Sequence, residues 1–268
     1  MTAPSGRWGD LKARLISGLA MLLAGAVAIW LGGTVFSALA VVVTGLLVQE
    51  LAAMTAQGRL PRAWGLGVFA GAVLAWVLWM HSPFALAALV LPSVLGLWRI
   101  GRDRIVWAVY AFAMMLTGYG LVAIRDGLNP PAGMFALLWI IAVVVASDVM
   151  GYFAGRMIGG PKFWPRISPK KTWSGTVAGW IGAVLTGALF VVLAGAETRI
   201  LWLSPLLAFA GQMGDVAESW IKRRAGVKDS SNLIPGHGGV MDRFDALIGA
   251  VVMVLLISQA GLLPRFGG

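Results

Sequence analysis

The stretch WIIAVVVASDVMGYFAGRMIGG, residues 139–160, decides the fold class. From Trp139 to Ser147 it carries no charge; one aspartate follows, Asp148, and the next charge is Arg156. In lipid the backbone must hydrogen-bond within its own segment, so the run predicts a membrane-spanning helix. At a rise of 1.5 Å per residue, Asp148 lies roughly 12 Å below Arg156. An acid at that depth costs about 2.5–3.5 kcal/mol on insertion scales and marks a functional cavity, unless it only pairs with an arginine of a neighbouring helix. Tyr152 falls one turn later on the same face. Ser147, Gly151, Gly155 and Gly159 form a small-residue stripe, which reads as a helix-packing face.

Outward from this stretch the pattern repeats. The chain has 268 residues, 59% of them hydrophobic and 12% charged, with a mean hydropathy of +0.85. Nine spans are expected, at 15–31, 34–53, 65–80, 83–98, 105–124, 133–155, 174–195, 200–221 and 244–263. The fold class is therefore all-α, a polytopic integral membrane protein. The third and fourth spans are short and meet at the turn His81-Ser82-Pro83. With the N-terminus in the cytoplasm, all of the 21 lysines and arginines except Arg125, Arg199 and Arg265 fall on the cytoplasmic side. That asymmetry favours the N-terminus inside and the C-terminus outside, and supports an odd number of crossings.

The segment GRWGDLKARL, residues 6–15, mixes Trp8 and Leu11 with bases and suits the membrane interface. Ala26-Val27-Ala28 resembles a signal-peptide cleavage site, but the apolar run continues past it, so an uncleaved first helix is expected. Trp64, Trp79, Trp98, Trp173 and Trp220 fall near span ends, as an aromatic belt would. The net charge of +10 fits this sidedness and attraction to anionic lipid or substrate. No basic helix or aromatic–basic module stands apart from the spans, so no nucleic-acid partner is expected. The chain lacks cysteine, which excludes disulfides, thiolate zinc sites and cysteine nucleophiles.

The acids divide the chain. Asp148, Asp215, Glu218, Asp229, Asp242 and Asp245 lie on or beside the sixth, eighth and ninth spans. Residues 1–132 read as scaffold helices, and residues 133–268 as the part that carries the chemistry. In the eighth span Asp215, Glu218, Ser219 and Lys222 are spaced i, i+3, i+4 and i+7, on one helix face. Asp215, about 10 Å below Lys222 by helical rise, would meet Asp148 in one cavity open to the cytoplasm. Glu218 reads equally well as a helix-end partner for Lys222. In LIPGHGGVMDRFDAL, residues 233–247, Gly236, Gly238 and Gly239 would let the backbone approach a ligand. Asp242 and Asp245 open the ninth helix, where acids also suit the helix dipole. With Asp215 they make a hard-oxygen cluster of the kind that holds Mg²⁺ while leaving room for water and phosphates. Lys222, Arg223, Lys228, His237 and Arg243 surround it with positive charge. Cations interleaved with acids and a glycine-rich turn are what metal-dependent phosphoryl transfer needs. The loop GGPKFWPRISPKKTWSGTVAG, residues 159–179, adds Lys170 and Lys171 among prolines that exclude helix. It either clamps phosphates or marks the cytoplasmic side.

SWIKRRAGVKDSSNLIPGHGGVMDRFD, residues 219–245, resembles the signature of the phosphatidate cytidylyltransferases, the CDP-diacylglycerol synthases. The matching elements are Ser219, Lys222-Arg223, Lys228-Asp229, Pro235, His237-Gly238-Gly239, Asp242-Arg243 and Asp245. GQMGD, SDVMGYFAGR and SPKKTW are also similar to family motifs, so the likeness covers about residues 147–245. Ser174 departs from the family, which often has Glu or Gln after KTW, and this puts a role for that side chain in doubt. The resemblance implies transfer of a cytidylyl group from CTP to phosphatidate, giving CDP-diacylglycerol and pyrophosphate, with Mg²⁺ and a second, monovalent cation. It also implies a bacterial-type inner membrane, a site facing the cytoplasm, and a homodimer. On this reading Asp215, Asp242 and Asp245 hold the metal. Lys222, Arg223, Lys228 and Arg243 screen phosphates, Ser219 and His237 bond phosphate oxygens, and Asp148 and Tyr152 line the cavity.

Two other readings stand beside it: CTP-dependent transfer to another lipid acceptor, and secondary transport of an anionic metabolite. A transporter would need polar residues reachable from both faces, whereas here the far side is nearly bare and no inverted-repeat halves stand out. The spaced aspartate signature of CDP-alcohol transferases is missing.

Overall fold

Long apolar runs become helices here, and glycine decides how closely those helices pack. The computed structural model describes residues 7–55, 60–100, 103–129 and 131–266. Its helices are α1 (Arg7–Leu31), α2 (Gly33–Thr55), α3 (Leu60–Met80), α4 (Leu91–Arg99), α5 (Arg104–Gly127), α6 (Ala132–Met157), α7 (Trp173–Ala194), α8 (Ile200–Ala225) and α9 (Met241–Gln259), with a 3₁₀ segment at Pro83–Val90. Strands β1 (Lys162–Trp164) and β2 (Ser168–Thr172) form a hairpin between α6 and α7. The protein is a polytopic, all-α membrane protein. Side chains up to residue 13 lie outside the described residues, and with them most of the expected interfacial segment.

Among the described residues, seven helices are long and apolar enough to cross a membrane by length and composition. The expectation was nine; the two that differ are 83–98 and the last helix. Asp242, Arg243 and Asp245 occupy the start of α9 and shorten its apolar part, and the helix ends at Gln259 rather than 263. The 83–98 segment is short, but eight of its residues are 3₁₀ and are followed by nine in α4. A 3₁₀ turn rises about 2.0 Å per residue, so the pair reaches roughly 30 Å, the thickness of the hydrocarbon core. A plain α-helix of that length would stop near about 25 Å. Leu91, at the junction, keeps helical backbone at φ −57° and ψ −44°, so the helical path runs on into α4.

The chain groups into two compact units: residues 1–111 with 227–243, and residues 112–226 with 244–268. In the first unit α2 and α3 cross at glycines. A Cβ on Gly67 would stand 2.6 Å from the Gly45 carbonyl oxygen. Gly96 leaves room for the ring of Trp107, which is fully buried. α1 keeps Leu15, Leu19, Leu22 and Trp30 exposed, an apolar face that lipid would cover. In the second unit the stripe expected on α6 packs on α7: a Cβ on Gly175 would stand 2.5 Å from the Gly151 carbonyl oxygen. Trp139 is fully buried and donates to Ser204 Oγ at 2.9 Å. Trp64, Trp79, Trp98, Trp173 and Trp220 are all exposed, as belt residues should be.

Overpacking a backbone-to-backbone contact costs about 1–3 kcal/mol. Gly175→Ala should therefore lower the thermal midpoint of the detergent-purified protein by several degrees. Gly25→Ala, at a position with nothing within 4 Å, should leave it unchanged. Equal midpoints would show that α6 and α7 do not meet at this glycine.

Candidate active site

In the second unit, α6, the hairpin, α7 and α8 enclose a cavity of about 600 Å³. Its walls include Asp148, Tyr152, Arg156, Lys162, Lys170, Lys171, Gln212 and Asp215. Asp148 and Asp215 thus line one cavity, as helical rise on α6 and α8 suggested. The hairpin is aimed by local chemistry. β1 and β2 pair Lys162 with Thr172 and Trp164 with Ser168, and Phe163 packs edge-on against Trp173 with ring centroids 4.9 Å apart. Thr172 then caps α7, its Oγ1 accepting from Gly175 N at 3.2 Å.

Between these elements Lys171 Nζ reaches Asp215 Oδ2 at 2.5 Å and donates to the Gln212 carbonyl at 3.2 Å. Ser219 Oγ donates to Asp215 Oδ1 at 3.2 Å, so both oxygens of this acid have a partner. Gln212 is buried and knits three helices: its Nε2 donates to Ser147 Oγ and the Thr176 carbonyl, and its Oε1 accepts from Trp180 Nε1. At the end of α6, Arg156 donates to Tyr152 Oη at 2.7 Å and lies 6.0 Å from the ring centre.

A second feature lies on α8 and α9. Asp215, Glu218 and Asp245 each offer a carboxylate oxygen, and these oxygens lie within 4.8 Å of one another. Glycine makes this possible: a Cβ on Gly214 would stand 2.3 Å from the Asp245 carbonyl, and one on Gly249 2.1 Å from the Ala210 carbonyl. The two helices therefore touch through backbone, which brings Asp245 to the turn that carries Asp215. Glu218 is fully buried and pairs with Lys222 at 2.5 Å. Lys171 and Lys222 offset two of the three carboxylates, which leaves one negative charge in excess, and the donor set is entirely hard oxygen. It fits a hard divalent cation.

The signature loop lies in the first unit. Ile234 and Gly238 form a bridge, and Gly236 and Gly238 take positive φ, at +75° and +83°. The turn between them presents His237, whose Nδ1 lies 2.8 Å from Ser17 Oγ on α1. Ser17 also donates to the Pro235 carbonyl. Arg243 donates to the His237 carbonyl at 2.8 Å. Asp242 Oδ2 accepts from Ser230 N at 3.0 Å and Gly239 N at 2.8 Å, with Ser230 Oγ also at 3.0 Å. Glu50, on α2, accepts from Ser230, Ser231, Val240 and Met241. The space that a Cβ would need at Gly239 is filled by Ser230 Oγ and the Glu50 carboxylate.

Comparison with known proteins gives the family. A family model described as "Cytidylyltransferase family" matches residues 12–260. The chain belongs to the cytidylyltransferase family. It is 42% identical over 164 residues to the phosphatidate cytidylyltransferase of Brucella abortus, covering 59% of this chain and 58% of that protein. The Haemophilus influenzae protein of the same name is 42% identical over 130 residues, covering 46% of this chain and 45% of the relative. That of Pseudomonas aeruginosa is 32% identical over 210 residues, covering 72% and 71%. The first of these matches spans under two thirds of the relative's length.

For a cytidylyltransferase family member, the two units divide the residues read from the sequence. Asp148, Tyr152, Lys170, Lys171 and Asp215 share the cavity. Ser219, Lys222 and Asp245 gather around Asp215 and Glu218. His237, Gly238, Gly239, Asp242 and Arg243 belong to the loop of the first unit, and Lys228 precedes them, exposed. Arg223 is exposed in the last turn of α8. Sequence reasoning gave Glu218 no metal role, because its i+4 lysine accounted for it. It also missed Gln212, the polar residue three before Asp215, and Glu50.

Stripping the cation from a buried acid costs about 3–5 kcal/mol. Lys222→Met should destabilise the detergent-solubilised protein by roughly that amount, and adding Glu218→Gln should recover most of it. Chemical denaturation measures both. No recovery in the double variant would mean that Lys222 serves something other than Glu218.

Proposed function

We propose that the protein transfers a cytidylyl group from CTP to phosphatidate, giving CDP-diacylglycerol and pyrophosphate. The observation that carries this reading is the Lys171–Asp215 pair inside a cavity cut into apolar helices and lined by Lys162, Lys170 and Arg156. A basic, half-open chamber in a membrane helix bundle suits a polyanion that meets a lipid headgroup there. The chamber's basic side chains suit a triphosphate, and its setting among apolar helices suits an acceptor that stays in the bilayer.

The chemistry asks little proton transfer of the protein. The phosphate of phosphatidate is already an anion at neutral pH. One of its oxygens attacks the α-phosphorus of CTP, the bond from that phosphorus to the bridging oxygen breaks, and pyrophosphate leaves with the electron pair. The obstacle is repulsion between two polyanions. Lys162, Lys170 and Arg156 offset it at the chamber wall, and Lys171, oriented by Asp215, stands ready to exchange its partner for a phosphate oxygen. Tyr152 is held by Arg156 beside Asp148, where headgroup and nucleotide would meet. Asp215, Glu218 and Asp245 are the proposed ligands for Mg²⁺. When bound, it would neutralise phosphate charge and stabilise the departing pyrophosphate. Asp242, one turn before Asp245, is a proposed ligand on that spacing alone. Lys222, Arg223, Lys228, Ser219, His237, Gly238, Gly239 and Arg243 are proposed to contact phosphates. The second, monovalent cation, the homodimer and the division into a scaffold (1–132) and a catalytic part (133–268) rest on the family resemblance and the distribution of acids.

Transfer from labelled CTP, with ATP, GTP and UTP as controls, tests the reaction in purified protein with Mg²⁺ and phosphatidate. Stoichiometric CDP-diacylglycerol and pyrophosphate are expected, and chelating the divalent metal should abolish both. Asp215→Asn should lower turnover by a factor on the order of 10³ while the protein still inserts. Near-normal turnover in that variant, or products from every nucleotide, would contradict the assignment.

The site is proposed to face the cytoplasm of a bacterial-type inner membrane, on the strength of the lysine and arginine asymmetry. The chain has no cysteine, so single cysteines report sidedness directly. In intact cells stripped of their outer layers, His81→Cys should react with a membrane-impermeant maleimide and Lys228→Cys should not until the membrane is opened. The reverse pattern would invert the orientation.

A further inference from the structure

Glu50 is a buried acid that the reaction scheme leaves unused. It sits on α2 with no solvent exposure. Both of its carboxylate oxygens are taken by one loop. Oε1 accepts from Ser231 Oγ at 2.5 Å and Val240 N at 2.9 Å; Oε2 accepts from Ser230 Oγ at 2.9 Å and Met241 N at 2.7 Å. These donors lie at the two ends of the segment 230–241, on either side of the turn that presents His237. The carboxylate thus closes that segment into a ring from within. The fit is tight, since a Cβ on Gly239 would stand 2.7 Å from either Glu50 oxygen.

The donor pattern requires a carboxylate rather than any acceptor. Val240 N and Met241 N are fixed backbone donors, and each uses a different oxygen. A glutamine has one carbonyl oxygen and one NH₂. Whichever way it turned, one backbone N–H would face another donor, with no rotation available to relieve it. A hydroxyl could swing away; a backbone amide cannot.

We infer that Glu50 is a positioning residue for nucleotidyl transfer: its carboxylate is the anchor that fixes the 230–241 loop and so holds His237 and the start of α9 in place. This rests on the reading of that loop as part of the transfer site. It also gives α2, within the part read as scaffold, a share in the reaction through that loop.

The test is hydrogen exchange by mass spectrometry on the full chain in detergent, with initial rates per folded molecule. In Glu50→Gln, amides of 230–241 should exchange about tenfold faster or more, the equivalent of one missing charged hydrogen bond, while α6 and α7 stay unchanged. Turnover at saturating CTP should fall by at least about tenfold, as expected when a reacting group is misplaced and substrate binding itself is intact. Ser231→Ala removes one donor without touching α2 and should move both readouts the same way by less. Unchanged loop exchange in Glu50→Gln, or a loosened loop with wild-type turnover, overturns the proposal. Should Glu50→Gln fail to fold, the Ser230→Ala, Ser231→Ala double variant decides, and unchanged exchange and turnover there overturn it equally. If the wild type makes no product from CTP and phosphatidate, the functional reading fails, while the exchange data still report whether Glu50 anchors the loop.

Discussion

The ion pair between Lys171 and Asp215 is the contact on which the chamber depends. It ties a hairpin that follows α6 to a helix two elements further on, and it does so where charge is expensive. Neither side chain is fully buried, so the pair escapes most of the desolvation that makes deep ion pairs unprofitable. It is also an exchangeable arrangement. A lysine held by a carboxylate can pass to a phosphate without being left bare, and the carboxylate it leaves can turn to a cation. The neighbouring contacts serve this one. Gln212 locks α6, α7 and α8 together beneath it, and Thr172 caps α7 so that Lys171 enters from a fixed strand end.

Burying acids in a membrane protein calls for a partner set for each, and two solutions appear. Glu218 has a lysine one turn away on its own helix. Glu50 has four donors supplied by a distant loop. The first solution leaves the acid near Asp215 and Asp245, in a group whose excess negative charge suits a divalent cation. The second uses up the carboxylate entirely and turns it into a structural clamp. The difference leaves one acid beside Asp215 and Asp245 and the other inside the loop.

Much of the fold was legible because membrane helices declare themselves by length and hydropathy. That Asp148 and Asp215 share one cavity could be reckoned from helical rise on α6 and α8, and the stripe from Ser147 to Gly155 announced a packing face that α7 fills. What was hidden has physical reasons. The 3₁₀ geometry of Pro83–Val90 leaves no hydrophobic signature, and it changes the length that 17 residues can cover. The hairpin at 162–172 was read only as non-helical, because Pro165 and Pro169 mask the alternation of a strand. Glu50 lies near the end of its span, where an acid costs little, and its partners are some 180 residues away. The approach of α9 to α8 through Gly214 and Gly249 is likewise a tertiary fact, and it makes Glu218 as well as Asp245 a neighbour of Asp215.

The central claim is that Asp215, Glu218 and Asp245 form a binding site for a divalent cation within the second unit. Mn²⁺ titration followed by electron paramagnetic resonance, on the detergent-purified chain and on Asp245→Asn, tests it most directly. The account predicts a saturable Mn²⁺ site in the wild type that Mg²⁺ displaces and that Asp245→Asn loses while its thermal midpoint is kept. Equal Mn²⁺ binding by the two proteins would contradict it.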